Sequence, residues 1–266
     1  MEISRDQVRA FEEEGYVFLP ELFSRAEVDR LMAEVPAIFA QRRPENVREQ
    51  RGDVVRTAFA AQTYNDVFAR LARHPRIIGP AMQLLGGPVY IHQFKINAKA
   101  AFDGDVWQWH QDYGTWARDD LMPEPRAMNI AVFIDDVTEF NGPLMLIPRS
   151  HRGGTLEAGH DLATTSYPLW TLDRQTVARL VDEGGLLAPK GPGGSLLMFH
   201  CNLVHASPGN ISPWGRTIIY ISACHVDNHI RRFKREEWIA HRDFTPIECA
   251  PDDCLLTYGR QAESAR

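Results

Sequence analysis

The sequence predicts a mainly β fold with flanking helices, a sandwich or barrel of the jelly-roll kind. Three observations carry this. From residue 88 onward the chain is a series of short β-rich runs, Gly/Pro turn clusters separate them, and helical patterning is concentrated in the first third. No linker-like stretch interrupts the 266 residues, so residues 1–266 are expected to form one domain. Its helical N-terminal part, about 1–85, is expected to pack on one sheet of the β core.

Ser4 and Gln7 form a capping-box pattern that opens a helix through Val8 to Glu14, and Gly15 stops it. Tyr16-Val17-Phe18-Leu19 is a short strand closed by Pro20. Ser24 and Glu27 make a second capping box, with Val28, Leu31, Met32 and Val35 on one helical face. Residues 42–60 are polar and Arg-rich, then Ala-rich, and read as a mobile loop, either a solvated surface loop or a lid. A further helix is expected near Tyr64 to Leu71. The β-runs are Val89–Ile96, Met128–Phe133, Leu144–Ile147, Ser195–Phe199 and Arg216–Ala223. Turn clusters at Asn141-Gly142-Pro143, Gly191-Pro192-Gly193-Gly194 and Pro208-Gly209-Asn210 divide them. The charged stretch after Arg231 reads as a helix or lid segment, with Gln261–Arg266 as a frayed tail.

Hydrophobic residues make up 44% of the chain and charged residues 24%, ordinary for a globular protein. A net charge of -6 argues against nucleic acid or an anionic membrane as partner. No stretch approaches the roughly 20 apolar residues of a membrane span. The polar, acidic start Met1-Glu2-Ile3-Ser4-Arg5-Asp6 does not fit a secretory signal, so a cytoplasmic location is the expectation. Cys201, Cys224, Cys249 and Cys254 form no CxxC pair, which favours free thiols and disfavours a Cys-based zinc site.

The segment Trp109-His110-Gln111-Asp112 is the central chemical signal. On an extended strand, residues two apart share a face, so His110 and Asp112 are expected to reach one metal together. Two histidines and one carboxylate make the facial triad of non-haem iron(II) oxygenases, with open positions opposite. An HxD alone is a weak motif, and its bland reading is a surface turn. His205, at a strand end before the Pro208 turn, supplies the third ligand, and Arg216 follows at the start of the next β-run. An Arg fork binds a carboxylate in bidentate fashion. A hairpin from His205 to Arg216 would therefore place a partner for the distal carboxylate of an iron-chelating keto-acid.

The other histidines read as structural or surface residues. His200 is expected on the opposite face from His205, His92 as a satisfied core residue, and His151 in a structural turn. His225 is left unassigned, and His74, His160, His229 and His241 are expected at the surface or in loops.

These residues resemble the phytanoyl-CoA dioxygenase family, and within it the ectoine-hydroxylase-like branch. The likeness runs from about residue 8 to 225 and is strongest in three blocks. The first is His92-Gln93-Phe94-Lys95-Ile96-Asn97 with Trp109-His110-Gln111-Asp112-Tyr113-Gly114-Thr115-Trp116. The second is Asp119-Asp120-Leu121-Met122-Pro123 with Asn141 to His151. The third is His205-Ala206-Ser207-Pro208-Gly209-Asn210 with Arg216.

The resemblance implies a double-stranded β-helix (jelly-roll, cupin-like) core, iron(II) (Fe2+), 2-oxoglutarate as co-substrate, and O2. It implies His110, Asp112 and His205 as ligands and Arg216 on the distal carboxylate of 2-oxoglutarate. Gln93 matches a co-substrate contact, Ser207 a hydroxyl beside the same carboxylate, and Trp116 an aromatic on the substrate side. Lys95, Asn97 and Trp107 are expected in the pocket wall around the co-substrate. Asp112 separates the chain from the family's halogenases, which carry a small residue there. Gly114 and Ala117 depart from the ectoine hydroxylases, which have an acidic residue and a His at these positions, and this points to a different small substrate.

The expected reaction is hydroxylation of an unactivated C–H bond of a small free L-amino acid, leucine-like, in natural-product biosynthesis. Trp116, Tyr113 and Thr115 are expected in the wall. Arg56 or Arg118 would meet the substrate carboxylate, and Asp119 or Asp120 its ammonium. The competing readings are an ectoine-type hydroxylase, a hydroxylase of a carrier-bound amino acid, and a ligand-binding jelly roll with a vestigial site. A zinc hydrolase is disfavoured because no HExxH is present.

Overall fold

The computed structural model describes residues 1–50, 52–162 and 168–257. Both capping boxes form: Ser4 opens α1 (Arg5–Glu14) and Ser24 opens α2 (Arg25–Met32). Gly15 ends α1 in the left-handed conformation, at φ 86°, and the chain passes straight into β1 (Tyr16–Leu19). Val35 starts a separate helix, α3 (Val35–Phe39).

The expected mobile loop at 42–60 is not a loop. It folds as β2 (Asn46–Arg48) and β3 (Val55–Phe59), an antiparallel pair on one edge of the large sheet. All five residues of β3 are buried. The arginines that made the segment look solvated are neutralised locally: Arg43 by Glu45, and Arg56 by Glu49. α4 (Asp66–Leu71), capped by Asn65, lies where expected, and α5 (Pro75–Leu85) follows it.

The remaining elements in order are β4 (Val89–Lys99), β5 (Trp107–His110), α6 (Asp112–Asp120), β6 (Ala127–Phe133), β7 (Met145–Leu146), β8 (Gly159–Asp161), β9 (Leu169–Thr171), α7 (Arg174–Gly184), β10 (Leu196–His200), β11 (His205–Ser207) and β12 (Arg216–His225). A seven-stranded antiparallel sheet runs β1-β10-β6-β12-β4-β3-β2, a three-stranded sheet runs β5-β11-β7, and β8 pairs with β9.

Strand alternation gives the large sheet two apolar faces. Met128, Ile130, Val132, Leu196, Met198, Ile219 and Ile221 turn toward the N-terminal helices and pack with Val28, Leu31, Phe68 and Ile77. Each such side chain contributes about 1.5–3 kcal/mol when fully buried. Ala131, Phe133, Leu197, Phe199, Ile218 and Tyr220 turn the other way and meet Leu144 and Leu146 of the small sheet. The candidate site lies between the two sheets, on this second face.

Three further expectations are corrected. His205 and Arg216 are not joined in a hairpin, since β11 pairs with β5 and β7 while β12 pairs with β4 and β6. Of the two readings for the stretch after Arg231, helix or lid segment, the helix is ruled out: residues 231–257 form no helix and run as an irregular segment over the site and against the N-terminal part. His74 and His241 are buried, His74 against Glu27 and His241 against Gln62. The tail Gln261–Arg266 lies outside the described residues. All four cysteines are free thiols, and among the described residues no helix is long and apolar enough to cross a membrane.

Candidate metal centre and its cavity

The HxD motif is not two residues of one strand. β5 ends at His110, Gln111 is extended (φ -117°, ψ 127°), and Asp112 is the first residue of α6. Gln111 fixes this junction. Its amide donates to the carbonyls of Asn202 (2.7 Å) and Gly154 (2.9 Å), and its oxygen accepts from the Leu156 amide. The strand-to-helix change turns the Asp112 carboxylate back toward His110. His110 Nε2 lies 3.7 Å from Asp112 Oδ1, and His205 Nε2 lies 3.5 Å from Oδ2. The three ligand atoms all lie within 4.8 Å of one another, and all three residues are buried.

The donor set fits a divalent iron ion in its protonation states as well as its spacing. His110 Nδ1 donates to the Gln108 carbonyl (2.6 Å) and His205 Nδ1 to the Leu203 carbonyl (2.9 Å). A carbonyl only accepts, so both Nδ1 atoms carry the proton and both Nε2 lone pairs face the shared point. Burial, with His205 beside it, pushes His110 down to about 3, and burial lowers His205 as well. Burial pushes the Asp112 carboxyl up, but Lys95, the two imidazoles and the Asn129 amide outweigh it and hold the carboxyl below its ordinary value. Asn129 donates to Asp112 Oδ2 (2.6 Å), and Ser222 donates to Asn129 Oδ1 (2.6 Å), so the carboxylate is oriented from behind.

The cavity at the triad takes its walls from both sheets. β4 contributes Gln93, Lys95 and Asn97, alternate residues on one face, and β12 contributes Arg216 and Tyr220. β5 and β11 add Trp107 and Ser207, and α6 adds Thr115 and Trp116. Arg216 is 2% exposed, with Nη2 on the Gly142 carbonyl (2.8 Å) and Nε without a partner. Thr115 Oγ1 and Asn97 Oδ1 are likewise buried and unpartnered. Orphaned polar atoms of this kind cost about 1–3 kcal/mol each unless a ligand completes them. A guanidinium with a spare Nε–H fits a carboxylate. Lys95 is wrapped by protein yet presents its ammonium to the cavity, over the Tyr220 ring at 5.8 Å; burial lowers it and Asp112 opposes that.

Several expected substrate contacts lie elsewhere. Tyr113 packs under α6 and donates to the Met122 carbonyl (3.2 Å). Arg118 donates to the carbonyls of Gly114 and Leu156, and Asp119 accepts from the Trp170 indole (3.3 Å). Both hold Trp170 of β9, on which the Arg118 guanidinium lies 5.1 Å from the ring centre. Arg56 pairs with Glu49 (3.0 Å) and stacks on Trp107 at 3.9 Å, which braces the wall from outside. Asp120 is committed to Arg235. Gly114 and Ala117 do not line the cavity. A Cβ at Gly114 would meet Arg118 Nη1 at 2.7 Å, and Ala117 packs into the cluster around Tyr90. Neither of the two departures from the ectoine hydroxylases forms part of this cavity's wall.

Sequence reasoning missed Phe59, Leu144, Leu169, Tyr220 and Arg235, all of which border the cavity. Tyr220 was within reach, because it shares the face of Arg216 four residues along one strand. Nothing in the run Arg231-Arg232-Phe233-Lys234-Arg235 marks its last arginine as the inward one. Leu169 enters from the short β8–β9 pair, which no periodicity announces.

A family model described as phytanoyl-CoA dioxygenase matches residues 11–218. The L-proline trans-4-hydroxylase of Streptomyces griseoviridis is 36% identical over 88% of this chain and 91% of that protein. The ectoine dioxygenase of Bordetella parapertussis is 36% identical over 90% of this chain and 83% of that protein. EctD from S. alaskensis, solved with 2-oxoglutarate and 5-hydroxyectoine, superposes with a TM-score of 0.83 at 31% identity, covering 93% of this chain and 87% of that one. The same protein with bound Fe gives a TM-score of 0.82 at 33% identity. With a jelly-roll core, an iron-binding His-Asp-His triad and relatives of this kind, the chain belongs to the phytanoyl-CoA dioxygenase family and is a 2-oxoglutarate-dependent dioxygenase of the hydroxylase type.

Proposed function

We propose that this enzyme hydroxylates an aliphatic C–H bond of a small free amino acid, with L-proline ahead of the leucine-like substrate expected from sequence. The observation that carries this is the charge of the cavity. Beyond Lys95 and Arg216 it holds one more cation, Arg235, next to the apolar wall of Trp116 and Leu169. A carboxylate with a short aliphatic body fits that pairing. The 36% identical relative that is an L-proline trans-4-hydroxylase favours proline, and nothing found favours leucine.

When bound, iron(II) with 2-oxoglutarate and O2 supplies the oxidant that replaces an unactivated C–H by C–OH. The chain's own part is placement. His110, Asp112 and His205 would hold the ion on one face, with Lys95 helping to keep Asp112 ionised. Arg216 Nε would take the distal carboxylate of 2-oxoglutarate, with Ser207, Asn97 and Gln93 around the rest of the co-substrate and Trp107 behind it. Trp116, Thr115 and Leu169 would bound the substrate, and Arg235 would meet its carboxylate. The substrate carbon nearest the metal is then the one that reacts.

Ectoine is the second reading, favoured by the 36% identical ectoine dioxygenase and by a cavity wall of which Gly114 and Ala117, the two departures, form no part. Single-turnover mass spectrometry with L-proline, L-leucine, ectoine and a carrier-bound prolyl thioester decides. The expected result is one added oxygen on L-proline. Oxygen added only to ectoine or only to the thioester would overturn the free amino-acid reading.

A further inference from the structure

A buried ion pair stands behind the substrate end of the cavity, outside the metal and 2-oxoglutarate machinery. Asp120, the last residue of α6, is 0% exposed. Its carboxylate takes the Arg235 guanidinium side-on: Nε donates to Oδ1 at 2.8 Å and Nη2 to Oδ2. Its backbone carbonyl accepts from the amides of Arg231 (3.0 Å) and Arg232 (2.8 Å). The irregular segment that carries Arg235 is therefore fastened to one helix end, by side chain and main chain together.

His92 closes the other side. The β4–β12 ladder slips by one residue here, since Gln93 pairs with Ser222 but Ile91 pairs with Ala223, and His92 is the extra residue of the bulge. It is fully buried, with Nε2 3.6 Å from Asp120 Oδ2 and 3.5 Å from Arg235 Nη2, and its ring meets Trp116 edge-on at 4.8 Å. A fork-to-fork pair leaves Arg235 one orientation, and a buried carboxylate whose cation is lost becomes an uncompensated charge.

We propose that Asp120 is the positioning residue for substrate recognition: from the end of α6, with His92 beside it, it fixes Arg235 in the one pose that presents a cation to a substrate carboxylate beside Trp116. This rests on the amino-acid reading above. The family match ends at residue 218, so the Arg235 partner of this pair comes from sequence that the family model does not cover.

The test uses Asp120→Asn, Asp120→Glu and Arg235→Lys in the full chain loaded with iron(II), with L-proline and L-prolinamide as paired probes. In Asp120→Asn the KM for L-proline rises about 30-fold or more while the KM for 2-oxoglutarate stays within twofold, and the preference for the acid over the amide collapses; Asp120→Glu recovers part of it. Arg235→Lys loses the same preference, because Lys cannot make the side-on pair. A substrate-independent measurement runs alongside. The Arg235 Nε–H, read by 15N side-chain NMR, is protected from exchange in the wild type and in Asp120→Glu, and exchanges freely in Asp120→Asn. A protected Arg235 in Asp120→Asn overturns the positioning role whatever the substrate is. So does a variant that keeps the acid preference, or one that shifts both KM values and kcat together. A wild type that turns over L-prolinamide as well as L-proline, with Arg235 protected, overturns the amino-acid reading instead.

Discussion

His205 sits directly opposite His110 in the β5–β11 ladder, with the two imidazole centroids 4.1 Å apart. One antiparallel pair thus sets both nitrogen ligands, and Phe199 braces His205 edge-on at 5.0 Å. Replacing either histidine by Ala is expected to abolish tight iron binding and lower succinate formation by at least about a thousandfold. Metal analysis after dialysis, together with a succinate assay, checks it. Retained iron with full turnover in His205→Ala would remove the triad assignment.

Asn129 holds Asp112 from behind, and Ser222 holds Asn129. Asn129→Ala should weaken iron binding about 10–100-fold while leaving maximal activity largely recoverable at excess iron(II). Iron titrations of activity distinguish this from a folding defect, in which excess metal restores nothing.

Arg216 reaches the cavity with an unpartnered Nε. Arg216→Ala is expected to cost about 2–5 kcal/mol of 2-oxoglutarate binding, and Arg216→Lys a large share of it, because an ammonium has no fork. The KM for 2-oxoglutarate measures this. An unchanged value in Arg216→Ala would reassign the distal carboxylate.

Burial pushes His110 down to about 3, and His200 and His241 down to about 4. Their folded values lie below the roughly 6.5 of an unfolded His. Between those limits the unfolded chain binds more protons, so the stability these groups contribute is present above about pH 6.5 and is lost as pH falls toward 4. Each group gives a slope of at most about 1.4 kcal/mol per pH unit. Urea denaturation of the iron-free protein should show a lower midpoint at pH 5 than at pH 7, and His200→Asn should flatten the difference. Equal midpoints at the two pH values would show that these rings are not held neutral.

Leu169 borders the cavity while its neighbour Trp170 is held by His160, Arg118 and Asp119 on the opposite side. Leu169→Ala is expected to shift preference toward bulkier amino acids by about 10-fold, the scale of a missing methyl or two in an apolar wall. Competition between L-proline and L-leucine reads it; an unaltered ratio would place Leu169 outside the substrate's reach.

Strands β1, β4, β6, β7, β10 and β12, both capping boxes and the triad were legible because each rests on local chemistry: alternation, a Ser with Glu or Gln three residues on, and an HxD with a distant His. The geometry behind the motif was not. Asp112 reads as strand by spacing and is helix in fact, because Gln111 is tied to Asn202 and Gly154, far away in sequence. Arg118 and Asp119 have the right chemistry for an amino acid, yet they serve Trp170, a partner that only the fold supplies. Residues 42–60 look solvated until Glu45 and Glu49 are seen to neutralise their arginines.

Helix α6 begins with a metal ligand and ends with the anchor of Arg235, and its nine residues span about 13 Å at 1.5 Å per residue. It acts as a ruler. On the amino-acid reading, the distance from the metal to the cation that would grip the substrate carboxylate is set in helical rises, so the position oxidised would be chosen by how many bonds separate it from that carboxylate. Adding one residue to α6 would turn its far end by about 100° and take Arg235 off the cavity altogether. Reach along the substrate would then be lost before any atom at the metal had moved.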